Sequence, residues 1–240
     1  MNTIFEYDPH CNRIKNFDIN QIKKHTKIIL GHFPELENTK GCMYFDPLTD
    51  LYNRSATMIP IKYPHSNLNE FPNLAMTCND YPDLDFAFRF TKTHIEGDKL
   101  IKAINISHEF QHAVQYRKNK KTYFYGRIIH CFLSENIIEE EKNPIEYDAI
   151  VKSKDVVINL YGKEMVKGMI DKRLSDSESS KSFWAIFNSI NTEEEYHLEE
   201  NIWKLWEKYK IEEEIRRFKM LRSNNYKKKK LIEMYDFANF

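Results

Sequence analysis

The chain of 240 residues is 41% hydrophobic, 14% aromatic and 30% charged, with 6 Gly and 8 Pro. That composition excludes a disordered chain and a collagen-like or low-complexity one. Its 36 Lys and Arg balance 36 Asp and Glu, so global charge makes no case for a nucleic-acid or membrane-surface partner.

A chain of this length buries most of its apolar surface unaided and needs neither a disulfide nor a metal merely to fold. Cys11, Cys42, Cys78 and Cys131 are scattered, with no Cys-x-x-Cys pair. This is neither a zinc-ribbon spacing nor a disulfide framework, and a reduced, cytoplasmic setting is expected. The N-terminus lacks the basic and apolar regions of a signal peptide. No stretch approaches the ~18 apolar residues of a membrane span, so no membrane partner is expected.

Residues 18–32 read as a first helix. Asp18 is placed to cap it with Gln21 three residues on, Ile22, Ile28, Ile29 and Leu30 give it a buried side, and Phe33-Pro34 marks its stop. Four short aromatic and aliphatic runs follow, at 42–45, 56–63, 74–78 and 85–90. Pro, Asp and Asn clusters separate them, so they read as strands. In the last run Phe86, Phe88 and Phe90 line one face. From 98 onward the chain reads as helical: 98–117, then a helix opened by Asn143-Pro144 and running to about 172. Ser-rich 175–182 reads as a linker. Thr192 and Glu195 form a capping-box signature for a long charged helix through Trp203, Trp206 and Phe218. Strands first and helices after predict an α+β fold. The expected division is a domain over 1–174, a small mixed sheet followed by helices, and a helical C-terminal extension over 175–240.

The charge blocks (Glu139–Glu141, Glu193–Glu195, Glu212–Glu214 and Lys227–Lys230) read as solvated faces or loops. Trp184, Phe187, Trp203, Trp206 and Tyr209 read as packing residues rather than as a platform for bases.

The chemistry is carried by His108-Glu109-Phe110-Gln111-His112. On a helix, positions i and i+4 share a face, so both imidazoles can hold one metal ion. Glu109 is turned about 100° from His108, which sets its carboxylate beside a water rather than on the metal. Zinc lowers the pKa of such a water toward ~7, and a carboxylate takes the proton. Ile101, Ala103, Ile104, Ile106, Phe110, Ala113 and Val114 make this a buried helix. Two histidines and a glutamate there are costly unless paired or ligating. The metzincin extension would need Gly at 115 and His at 118, where this chain has Gln115 and Lys118. A catalytic zinc takes three protein ligands and keeps an open position. Downstream, Glu146 lies within a turn of the Asn143-Pro144 start, and small Ala149 permits close helix approach. Asp148 is the rival ligand.

These residues resemble the gluzincins, zinc metallopeptidases that pair a His-Glu-x-x-His helix with a Glu ligand on a second helix. Glu146-Tyr147-Asp148-Ala149 matches the Glu-(Phe/Tyr)-x-Ala pattern of their prenyl-protein and heat-shock-type branch, whose membrane spans this chain lacks. The text around His108 also looks like small metallopeptidase domains of phage and mobile-element proteins. The resemblance covers about 85–165. It implies a zincin-like fold, a zinc ion on His108, His112 and Glu146, Glu109 as general base, and a protein or peptide substrate. It also implies an edge strand above the metal helix, to which a peptide can add. Residues 85–91 are the candidate, with an ordinary interior strand as the alternative. The donor to the oxyanion would be one of His94, Tyr123, Tyr125, Arg127, His130, Tyr161 and His197. Two other readings stand beside this one. The first is a non-catalytic zincin-fold protein that binds a peptide or protein partner. The second is a nucleic-acid-binding module using the basic stretch 216–230.

Overall fold

The computed structural model describes residues 1–15, 17–47, 56–61, 72–133, 143–175, 181–221 and 225–239. Its fold is α+β, with a four-stranded mixed sheet. The strands are β1 (Asn2–Tyr7), β2 (Lys40–Asp46), β3 (Ala56–Pro60) and β4 (Phe86–Thr91), in the order β1-β2-β4-β3. β1, β2 and β4 run parallel, and β3 runs antiparallel to β4. β4 is buried along its whole length, as a strand covered on both faces must be. No alternation in the sequence announces β1, which is only half buried and pairs on one side alone.

Alternation divides the sheet's two faces. Met43, Phe45, Met58, Phe86, Phe88 and Phe90 belong to the main core. Cys42, Tyr44, Ile59 and Ala87 belong to a smaller cluster with Leu74, Cys78 and Leu84. Residues 74–78, expected as a strand, lie in a helix, α2 (Pro72–Asp80). Leu74 and Cys78 are buried while Met76 between them is 68% exposed. That is the i, i+4 pattern of a helix laid on a sheet, and Ala75 and Met76 are strong helix formers.

The first helix forms as its cap predicts. α1 (Ile19–Leu30) begins where Asp18 Oδ1 accepts from the amides of Asn20 and Gln21, at 2.9 and 3.1 Å. A short α3 (Lys92–Glu96) leads into α4 (Lys99–Lys118), which is capped by Asp98. Phe110 of α4 meets Phe88 of the sheet edge to face, with ring centroids 5.2 Å apart. α5 (Lys120–Leu133) and α6 (Pro144–Tyr161) complete the layer around α4. The helix expected to reach 172 is divided. Gly162, at φ +83, ends α6, and α7 (Lys163–Ser175) begins afresh. A left-handed residue terminates a helix, and Gly takes that conformation without steric cost.

α8 (Lys181–Ser189) follows, with most of the expected linker, 176–180, lying outside the described residues, as do Glu139–Glu141 and residues 62–63. The long charged helix expected from Thr192 is also two helices, α9 (Leu198–Lys208) and α10 (Ile211–Met220), divided at Lys210 with φ 48. Thr192 caps neither of them. Asn191 Oδ1 accepts from the Glu193 amide at 3.1 Å instead, a local turn that competes with helix initiation. α11 (Tyr226–Asn239) closes the chain. The extension packs on α5, where Tyr125 stacks on Trp206 with centroids 4.2 Å apart and 9° between planes. No helix among the described residues is long and apolar enough to cross a membrane.

His94 is fully buried, 4.4 Å from the Phe90 ring. Burial pushes its imidazole down to about 3 from 6.5, with the charge of Lys102 acting in the same sense. Below pH 6.5 the unfolded chain therefore binds a proton that the folded chain refuses. The stability His94 contributes is complete above that pH and is lost as pH falls toward 3, with a limiting slope of about 1.4 kcal/mol per pH unit. Urea unfolding midpoints should fall more steeply between pH 6.5 and 4 for the native chain than for His94→Gln. Parallel profiles would contradict this.

Candidate metal centre

His108 and His112 stand one turn apart on α4, with ring planes at 88° and centroids 4.6 Å apart. Their Nε2 atoms are 3.0 Å from each other. Glu146 comes from the first turn of α6. That turn is set by Pro144 and by Asn143, whose Oδ1 accepts from the Ile145 amide at 3.2 Å. Ala113 on α4 and Ala149 on α6 are fully buried, so little side-chain bulk separates the two helices. Glu146 Oε2 lies 3.0 Å from His108 Nε2 and 3.3 Å from His112 Nε2.

The protons of this cluster can be assigned from its hydrogen bonds. Gln115 Nε2 faces two acceptors, the Ile145 carbonyl at 2.9 Å and Asp148 Oδ2 at 2.7 Å. It must donate to both, which leaves Gln115 Oε1 to accept from His112 Nδ1 at 2.9 Å. His112 Nδ1 therefore carries a proton, and in the neutral ring Nε2 presents a lone pair toward Glu146 and His108. Asp148, the rival ligand, also accepts from Gln111 Nε2 at 2.7 Å. Its carboxylate braces the two glutamines, whereas Glu146 faces the histidines. The sequence showed Gln115 only as a residue that is not Gly. Its bonds to Asp148 and the Ile145 carbonyl span two helices, and no local pattern announces them.

Three lone-pair atoms within 3.3 Å of one another call for a positive charge. Burial pushes the Glu146 carboxyl up, but the charge of His112 and hydrogen bonds from both histidines outweigh it and hold the group well below the usual carboxylate range. Burial likewise depresses His112, and the Glu146 carboxylate overrides it and raises the imidazole. A proton shared by these groups would meet the demand. The donor set suits zinc as well, being two imidazoles and a carboxylate. A catalytic zinc takes three protein ligands of this kind. These three residues are the one such group of His, Cys, Asp and Glu among the described residues.

Glu109 is 6% exposed and accepts no hydrogen bond among the described residues, yet its charge is felt at His112, Tyr123 and Arg127. Tyr123 and Arg127 lie at i and i+4 on α5 and so share a face. Arg127 Nη1 is 3.9 Å from Glu146 Oε1. Burial raises the Tyr123 hydroxyl to about 12, so it keeps its proton, and it makes no hydrogen bond among the described residues. Gly126 lies between them. A Cβ there would fall 2.2 Å from Ile145 Cγ2, so only glycine lets α5 close on the start of α6.

Of the other proposed oxyanion donors, His94 is enclosed beside Phe90, and Tyr125 donates to Asn239 Oδ1 at 3.0 Å. Tyr161 pairs with His25 Nε2 at 2.9 Å, and His197 is exposed near Glu195. His130 is buried on α5. Residues 85–91 do not form the sheet edge. β4 is hydrogen-bonded on both sides, to β2 and β3, which leaves no free edge for a peptide. β3 is the edge strand of this sheet beside α4. Pro60 at its end is the sequence signal for an edge, since Pro cannot donate within a central strand.

Comparison of the chain with protein-family models, curated proteins and solved structures finds no match.

If Gln115 and Asp148 orient His112 as described, Gln115→Leu should weaken zinc affinity by about 10–100-fold, measured by competition with a chromophoric chelator. Gly126→Ala should weaken it too and lower thermal stability, because α5 and α6 must separate. Native affinity in both variants would show that neither contact matters to the cluster.

Proposed function

We propose that the chain is a zinc-dependent peptidase of gluzincin type, with a protein or peptide substrate. The observation that carries the reading is the His108–His112–Glu146 triangle beside Glu109, a buried carboxylate with no donor among the described residues. A carboxylate that acts on His112 without being one of the three converging residues is placed for a general base. A structural zinc site also closes with four protein ligands, whereas among the described residues three converge here.

His108, His112 and Glu146 would hold the zinc ion. When bound, it supplies a Lewis acid and brings the pKa of a water to about 7. Glu109 accepts a proton from the attacking water and later gives it to the leaving amine nitrogen. Gln115 keeps His112 in the tautomer whose Nε2 is free. Tyr123 and Arg127 donate toward the carbonyl oxygen as negative charge develops on it. With a divalent ion, two carboxylates and one guanidinium, the site sums to a single positive charge, which that oxygen balances. The substrate backbone would align along β3.

Purified protein should contain about one zinc per chain. Glu109→Gln should keep the zinc and lower peptide hydrolysis by about 10²–10⁴-fold. Tyr123→Phe should keep the zinc and lower kcat by about 10²-fold with little change in KM. A folded wild-type protein that neither takes up zinc nor cleaves a peptide library would overturn the assignment. Full hydrolysis by Tyr123→Phe would remove only the phenol's role.

A further inference from the structure

We propose that Asn105 binds the backbone of the peptide substrate, its side-chain oxygen accepting from an amide N–H near the scissile bond; this rests on the peptidase reading above. From Ala103 to Tyr116 the half-buried positions of α4 are Asn105, His108 and Gln111, and every other residue of that stretch is buried. A spacing of three makes them neighbours along one stripe of the helix, so Asn105 opens to the same side as His108. The other two have partners on α6. His108 meets Glu146, and Gln111 donates to Asp148. Asn105 meets nothing on α6 among the described residues, and it stands one turn before Glu109, at i, i+4.

Asn105 is held from behind. Its Nδ2 donates to His94 Nδ1 at 3.4 Å, its one hydrogen bond among the described residues. His94 is fully buried against Phe90 and Phe45, with ring centroids 4.4 and 6.0 Å away. Burial keeps the imidazole neutral, so Nδ1 can accept. Nε2 then carries the proton and has no partner among the described residues. A phenyl ring would fill the same space without an unmet buried polar atom, which is costly. What the imidazole adds is Nδ1, and Nδ1 reaches Asn105. His94 is therefore a positioning residue. It occupies the amide nitrogen of Asn105 and leaves Oδ1 as the acceptor.

The substrate's path supplies the donor. β3 is hydrogen-bonded on one side, to β4, and lies beside α4. A peptide paired with β3 satisfies half of its backbone groups there. The groups along its other edge point away from β3 and need other partners. Asn105 precedes Glu109 by about 6 Å along the helix axis, and an extended peptide advances ~3.4 Å per residue. Asn105 thus meets the backbone within about two residues of the bond that Glu109 serves. A side-chain amide accepts a backbone N–H from any residue that has one, so this contact fixes the register of the peptide rather than a side-chain preference.

The test uses the zinc-loaded full chain and a peptide from a library that it cleaves. Asn105→Ala should keep zinc content and kcat and raise KM about 3–10-fold, the effect of one neutral hydrogen bond made equally in ground and transition states. Replacing each amide within two residues of the scissile bond by an ester, one at a time and sparing the scissile bond, removes single N–H donors. One of these esters should raise KM for the native chain and leave Asn105→Ala unaffected, a coupling that a merely structural role would not produce. Equal ester penalties in the two proteins would overturn the proposal, as would a fall in kcat at unchanged KM in Asn105→Ala. Native KM in Asn105→Ala would remove the role of Asn105 alone. A zinc-loaded native chain that cleaves no library peptide would instead overturn the peptidase reading, and this inference with it.

Discussion

Three lone-pair atoms from two helices are held within 3.3 Å of one another, and the rest of the central layer is arranged to keep them there. Left alone, two imidazole nitrogens and a carboxylate oxygen would separate or recruit water. They remain together because α4 and α6 are tied on both sides of the cluster. The Gln115 amide bonds to Asp148 and to the Ile145 carbonyl, and Asn143 fixes the first turn of α6. Gln115 uses both ends of its amide in this network, and such shared hydrogen bonds rigidify a core. The electrostatic demand is then discharged by a cation, whether a proton or a metal.

The sheet and the extension act on this pair of helices from opposite sides. Phe88 seats Phe110 and so fixes the height of α4 over the strands. From the other side, α9 and α11 hold α5 through the stack of Tyr125 with Trp206 and Tyr235. α5 is the helix that carries Arg127 and Tyr123, and Gly126 sets how near it comes to Ile145. The C-terminal helices therefore bear on the site without touching its ligands. Their packing shares one apolar core with the sheet, running from Cys11 to Met234.

What could be read from the sequence was what is local. His108 and His112 are visible because helical period alone places them together, and Glu146 because Asn143-Pro144 marks a helix start within one turn of it. Relations that cross the chain were not visible. Gln115 acquires its role from Asp148 and the Ile145 carbonyl, 33 and 30 residues away. The interior position of β4 follows from pairing with strands before and after it, although Pro60 carried a hint that the edge lay elsewhere. Tyr123 and Arg127 stood undistinguished among seven candidates. Their i, i+4 spacing around a glycine was present, but its meaning depends on Ile145 lying opposite. Helix divisions at Gly162 and Lys210 were missed because charged periodicity continues across them.

The extension also separates two kinds of charge along its length. At the packed end of α11, Asp236 pairs with Lys219 and Tyr235 donates to Glu212 at 3.2 Å, so polar groups there are spent on internal contacts. At the other end Lys227, Lys228 and Lys229 occupy a helix start that favours anions, and Lys228 Nζ lies over the Phe218 ring at 4.7 Å. A helix optimised for stability would place acids in that turn, as α10 does with Glu212, Glu213 and Glu214. α10 and α11 thus begin with opposite first-turn charge.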